Sequence, residues 1–73
     1  MADAPAILIK CSCGLTPVFD HWRAAEDEVT SVYTCPAAPI GCGKSGPAID
    51  YPYANEPQAR VSWNQMREAE RGR

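Results

Sequence analysis

A small α+β fold, in which two β-hairpins carry cysteines at their tips and one C-terminal α-helix packs on the sheet, is predicted by three features of the chain. Cys11-Ser12-Cys13-Gly14 sits between two strand-like segments, and the same plan recurs around Cys35 and Cys42-Gly43. Residues 56–70 place apolar side chains at helical spacing behind a capping residue. Finally, 73 residues hold one domain at most, and a core that small rarely supplies more than about 3–5 kcal/mol unaided. Aromatic content of 8% argues against a large core, so staples are expected. A cofactor-binding α/β domain does not fit, because one βαβ unit already takes about 30 residues. The expected plan is a disordered stretch over 1–5, a single domain over 6–68 and a frayed tail over 69–73.

Ala6 to Lys10, rich in Ile and Leu, reads as a first strand, and Gly14 can take the positive φ of the turn that follows. Thr16 to Trp22 returns as a second strand, with Pro17 confining it to a strand start or an edge. Arg23 to Glu28 is charged throughout much of its length and is expected as a loop or one helical turn. Val29 to Thr34 is β-branched and aromatic, hence a strand. Pro36 to Gly41 cannot hold regular structure with two prolines in it, and Pro47 to Tyr53 is an interrupted edge strand. The helix is capped by Asn55, with Pro57 in its first turn and Gln58 three residues after the cap. Ala59, Trp63 and Met66 share one face, so Trp63 is expected as the anchor on the sheet. Asn64, about 100° round from Trp63, is expected to bond back to a loop of the domain.

The net charge is −2. Lys10, Arg23 and Lys44 stand against six carboxylates before residue 54, and the arginines of the chain otherwise lie in the last twenty positions, at Arg60, Arg67, Arg71 and Arg73. An acidic domain lacks the overall footprint of a nucleic-acid binder, and the arginine-bearing stretch reads first as solvated helix surface. No apolar run approaches the ~18 residues of a membrane span. Ala6-Ile7-Leu8-Ile9 is too short for a secretory signal core and lacks a preceding basic residue. A cytoplasmic protein is the expectation, and there four cysteines point to metal rather than disulfides.

Cys11, Cys13, Cys35 and Cys42 form C-x-C-G and C-x6-C-G pairs, the logic of a zinc ribbon. Two turns present two thiolates each to a tetrahedral Zn2+, whose Zn–S bonds of about 2.3 Å set ligand sulfurs roughly 3.8 Å apart. Paired ligands of structural zinc sites are usually two to four residues apart. Here the first gap is narrower and the second wider, the latter being filled by a proline-shaped loop. Three other readings stay open: disulfides, with Cys11–Cys13 near the limit of bridgeable span; buried free thiols acting as small hydrophobes; and a mixed site recruiting His21, which otherwise reads as an ordinary histidine at the edge of the core.

Ala38-Pro39-Ile40-Gly41-Cys42-Gly43-Lys44-Ser45 satisfies a loose P-loop pattern. Phosphate binding there needs a buried strand before the loop and a long helix after it; a proline-rich loop precedes it and Gly46-Pro47 follows. No nucleotide is expected, and Lys44 is read as a cation close to the thiolates. A lone histidine offers no Ser–His–Asp set, and four thiolates close a zinc site to water. Glu26-Asp27-Glu28 is a solvated run. The expectation is a protein that is not an enzyme.

Taken together, Cys11, Cys13-Gly14, Val32-Tyr33-Thr34-Cys35, Cys42-Gly43 and a helix carrying Ala59, Trp63-Asn64 and Arg67 resemble the restriction-alleviation (Lar) family of small phage and prophage zinc-ribbon proteins. The likeness extends from residue 7 to residue 67. The family's first pair is C-P-x-C, one residue longer than here, and its second is C-x2-C, four shorter. The resemblance implies one structural Zn2+ and protection of unmodified DNA by modulating a host type I restriction-modification enzyme. That is binding of a host protein, with no catalysis by the chain itself. The competing expectations are a nucleic-acid-binding ribbon using Arg60, Arg67 and Arg71, and a thiol redox module without metal.

Overall fold

The computed structural model describes residues 7–71. Three strands, β1 (Val18–Ala25), β2 (Glu28–Thr34) and β3 (Ile49–Tyr51), form one antiparallel sheet in the order β1-β2-β3, and α1 (Glu56–Arg71) follows. The small α+β architecture and the helix on the sheet are as expected; the strand boundaries differ in three places.

Ile7 to Lys10 is not a strand. Its backbone is taken instead by side chains of α1, which satisfy the groups a ladder would otherwise use. Ala6 and the expected disorder over 1–5 lie outside the described residues. β1 therefore starts after Pro17, which has no N–H to give, and runs on to Ala25 through the stretch expected as a loop or helical turn. Glu26 and Asp27 make the tight turn into β2, with Arg23 Nη1 donating to Glu26 O at 2.6 Å. The β1–β2 register runs from Val18↔Thr34 to Arg23↔Val29, then slips before Ala25↔Glu28. The ladder hairpin thus turns at Glu26-Asp27, away from Cys11 and Cys13. β3 is shorter than the stretch 47–53 expected for it; Pro47 and Pro52 flank it, and it pairs Ser31↔Ile49, Thr30↔Asp50 and Val29↔Tyr51. The helix persists through the part of the expected frayed tail that is described, residues 69–71; residues 72 and 73 lie outside it.

β2 is the central strand and is buried on both faces, as its unbroken run of β-branched and aromatic residues requires. Its period of two sends Tyr33 toward α1 and Val32 to the opposite side. Tyr33 joins Cys11, Cys35, Ala59 and Trp63 in the core, against which Leu8, Leu15, Phe19, Ile49 and Met66 pack. Trp63 is 0% exposed, the anchor expected of it. Asn55 caps the helix, its Oδ1 accepting the Gln58 N–H at 3.2 Å, while its own N–H donates to Ser31 Oγ at 3.1 Å. One residue thereby starts the helix and ties it to the central strand. Glu56 accepts from Arg60 Nε at 2.8 Å and from the Tyr33 hydroxyl, so the first turn is also held to β2. Among the described residues no buried side-chain nitrogen or oxygen lacks a hydrogen-bond partner.

Candidate metal centre

Two turns of different length are closed by one equivalent bond and by a second that differs by one residue in its acceptor. In the first, the Cys11 N–H donates to Leu15 O at 2.8 Å and the Gly14 N–H donates to Cys11 O at 2.8 Å. In the second, the Cys35 N–H donates to Lys44 O at 2.7 Å and the Gly43 N–H donates to Pro36 O at 2.9 Å. In each, the first cysteine is bonded to the carbonyl two residues past the second. In each, the glycine after the second cysteine takes positive φ, 94° at Gly14 and 75° at Gly43, a conformation costly to any residue with a Cβ. The unequal spacing is thus absorbed in the loop that the closing bond spans. The extra residues of the second turn form the Pro36–Gly41 loop, which carries its own bond from Gly41 N–H to Ala37 O at 3.2 Å.

The consequence is a four-sulfur cluster. The Sγ atoms of Cys11, Cys13, Cys35 and Cys42 all lie within 4.8 Å of one another, and all four thiols are free. Two short approaches cross between the turns: Cys11 to Cys42 at 3.3 Å and Cys13 to Cys35 at 3.3 Å. Cys11 and Cys35 are buried in the core, Cys13 and Cys42 exposed. A tetrahedral thiolate site needs sulfurs separated by roughly 3.8 Å, which this cluster brackets. The residues therefore fit a metal ion with a preference for soft ligands. His21 is not among them; it is exposed on β1 and stacks on Phe19 at 5.3 Å between ring centroids.

The electrostatics of the thiols are uneven. Burial drives Cys11 upward, yet the backbone N–H of Cys13 and hydrogen bonds from Cys42, Cys35 and Cys13 outweigh it and bring it down to about 6. Cys13 is lowered mainly by the backbone N–H of Leu15, then by Cys35. Cys35 is pushed up to about 12, first by burial and further by its thiol neighbours. Sulfurs this close do not all ionise without a cation among them, and a cation bound by four thiolates must displace the remaining protons. A tetrahedral ion held by all four thiolates would have no position left for water.

The helix grips the first turn from behind. The Ile9 N–H donates to Asn64 Oδ1 at 3.0 Å, Trp63 Nε1 donates to Ile9 O at 2.6 Å, Asn64 Nδ2 to Ile7 O at 2.8 Å and Arg67 Nε to Lys10 O at 2.9 Å. Asn64 thus bonds back within the domain, as anticipated, and Trp63 adds a polar role to its packing. Sequence spacing does not reveal that Arg67 and Lys44 meet at one carboxylate; the structure joins both to Glu70. Lys44 Nζ lies 2.8 Å from Glu70 Oε2, and Arg67 Nη1 bonds the other carboxylate oxygen. The second turn is thereby linked to the helix that holds the first. The P-loop-like stretch leads from the Cys35–Cys42 loop into the bridge residue Ser45, which pairs with Thr34; its lysine is the one committed to Glu70. No helix among the described residues is long and apolar enough to cross a membrane. No family model, curated protein or solved structure matches the chain.

Proposed function

We propose that this chain is a non-enzymatic zinc-ribbon protein of the restriction-alleviation type, acting in the cytoplasm by binding a host protein, a type I restriction-modification subunit. The observation that carries the metal half is the pair of turns, each closed by one equivalent bond, that gathers four sulfurs within 4.8 Å. Tetrahedral tetrathiolate sites hold zinc or iron. Zinc is favoured because its closed sites are structural, contributing on the order of 10 kcal/mol to folding, which is what so small a core needs. The partner half rests on the resemblance through Cys11, Cys13, Cys35, Cys42, Trp63 and Asn64. Two of the three arginines that the nucleic-acid alternative would use are engaged within the chain, Arg60 with Glu56 and Arg67 with Lys10 O and Glu70, which leaves Arg71 as its exposed contribution.

Native mass spectrometry before and after a strong chelator tests the metal, with one zinc per chain expected. Absorbance in the visible region would reveal iron, and a mass four protons light would mean two disulfides. Binding of the zinc-loaded protein to purified type I restriction-modification subunits tests the partner; no binding to any subunit would remove it.

A further inference from the structure

Among the described residues α1 packs on one side of the sheet only; on the other, Thr30 and Val32 of the central strand are buried, whereas Val18 and Trp22 of β1 are exposed. Phe19, Tyr33 and Ile49 pack toward α1. Strand alternation and register place Val18, Asp20, Trp22, Glu28, Thr30, Val32, Thr34 and Asp50 on the opposite side. There, Trp22 is 48% and Val18 52% exposed, flanking a Val32 that is 2% exposed. Charge is sorted between the two sides. Every ionisable strand residue on the open face is a carboxylate, at Asp20, Glu28 and Asp50, whereas His21 and Arg23 project to the other. Two of these carboxylates are fixed in place. Asp50 Oδ1 accepts from Thr30 Oγ1 at 2.7 Å, and Asp20 Oδ1 accepts the His21 N–H at 2.9 Å.

From this sorting we infer that the open sheet face is the docking surface for a basic, partly apolar segment of the protein partner, with Trp22 as its anchor. The inference rests on the reading of the chain as a protein-binding module. An exposed tryptophan beside apolar residues is the kind of group that dominates binding energy when a partner buries it, and it can also take a Lys or Arg over its ring. A rim of carboxylates with no cation among these strand residues attracts lysine and arginine and repels phosphate. Nucleic acid and anionic lipid are therefore the wrong occupants. Asp20 also closes part of the outer edge of β1 by taking the N–H of His21, so recognition is expected through the face rather than by strand addition.

The test is an NMR titration of the full-length, metal-loaded protein with a 14-residue peptide of alternating lysine and leucine. The same peptide with glutamate for lysine serves as control. Expected are saturable shifts of the Trp22 indole N–H and of the Val18, Asp20, Val32 and Asp50 amides. The Trp63 indole, bonded to Ile9 O, should stay still, and the glutamate peptide should cause no shifts. Trp22→Ala, and separately Asp20→Lys with Glu28→Lys, should each weaken binding at least tenfold with metal content and circular dichroism unchanged. Shifts centred on Glu68 and Glu70, or binding indifferent to both variants, would overturn the inference. The two readings fail separately. A restriction-modification subunit that binds but shifts other residues removes only this surface, whereas lysine-peptide binding here with no subunit bound removes only the proposed partner.

Discussion

Cys11 Sγ lies 3.3 Å from Cys42 Sγ, although the two residues are thirty-one positions apart and each has a nearer cysteine in sequence or in its own turn. Cys13 stands in the same relation to Cys35. Two hydrogen-bonded sulfur pairs thus run between the turns. When the chelated protein is treated with hydrogen peroxide, a thiolate attacks the O–O bond, leaving a sulfenic acid and hydroxide. The neighbouring thiol then displaces water to form the disulfide. The expected products are Cys11–Cys42 and Cys13–Cys35. Peptide mapping by mass spectrometry checks this, and Cys11–Cys13 with Cys35–Cys42 as the dominant pairing would contradict it.

Metal removal should be felt at Trp63. Its indole N–H is bonded to Ile9 O, two residues from Cys11, and its ring shares the core with Cys11 and Cys35. Chelation is expected to shift tryptophan emission to the red and to abolish near-ultraviolet dichroism, with zinc restoring both. Trp22, already half-exposed, contributes little to the change, so Trp22→Phe should retain most of it. An emission spectrum unmoved by chelation would show that the helix holds its place without the metal.

Asn64 makes both a donor and an acceptor bond to the segment 7–10. Asn64→Ala leaves the Ile9 N–H and the Ile7 carbonyl without these partners, and the expected loss is about 1–3 kcal/mol in chemical denaturation of the metal-loaded protein. Asn64→Asp should be milder, since an oxygen still faces Ile9 N–H. Hydrogen exchange at the Ile9 amide should accelerate in the alanine variant. No acceleration there would mean that the segment is held without the helix.

The sequence makes the helix legible because its signals are local: Asn55 as cap, Gln58 three residues on, Ala59 and Trp63 one turn apart. The cysteine set is also legible, since C-x-C-G and C-x6-C-G leave few uses for their four cysteines and two glycines. The first strand misleads because Ile7-Leu8-Ile9 has strand composition, yet the groups that satisfy its backbone sit fifty-four or more residues away on the helix, at a distance in sequence no periodicity can reveal. The Arg23–Glu28 stretch misleads for the opposite reason. Its charges suggest a loop, but the outer face of an edge strand is solvated and tolerates them. The equivalent bond that closes two unequal turns is invisible in spacing, because in the second turn it passes over the proline loop.

Glu70 bridges Lys44 and Arg67, and these two, Lys44 first, hold its carboxyl below the usual range. A carboxyl lowered on folding contributes stability that is present above its unfolded value and lost as pH falls through the folded one. Glu70→Gln should therefore melt below the wild type at neutral pH, by an amount that shrinks on acidification and in high salt. The difference in Tm between the two proteins across pH is the measurement. A difference that grew toward acid would show that the bridge is not what Glu70 supplies.

Gly46 lies in the connection between the second turn and β3, against the ring of Trp63. A Cβ at this position would lie 2.8 Å from Trp63 Cε3 and 3.0 Å from Tyr33 O, and neither can yield easily. Trp63 is fully enclosed, and Tyr33 O already accepts the Gly46 N–H at 2.8 Å in the link that carries the second turn. Gly46→Ala should cost about 1–3 kcal/mol, the range for overpacking a filled core, and should also loosen the metal, because displacing residue 46 displaces Lys44 and with it the bond that closes the turn at Cys35. Gly14→Ala provides the contrast. Nothing lies within 4 Å of its added Cβ, so its cost comes from the positive φ alone. Competition against a chromogenic chelator reads the metal affinity of both variants alongside denaturation. Equal stability of Gly46→Ala and wild type would mean that Trp63 can shift within the core, against the packing described.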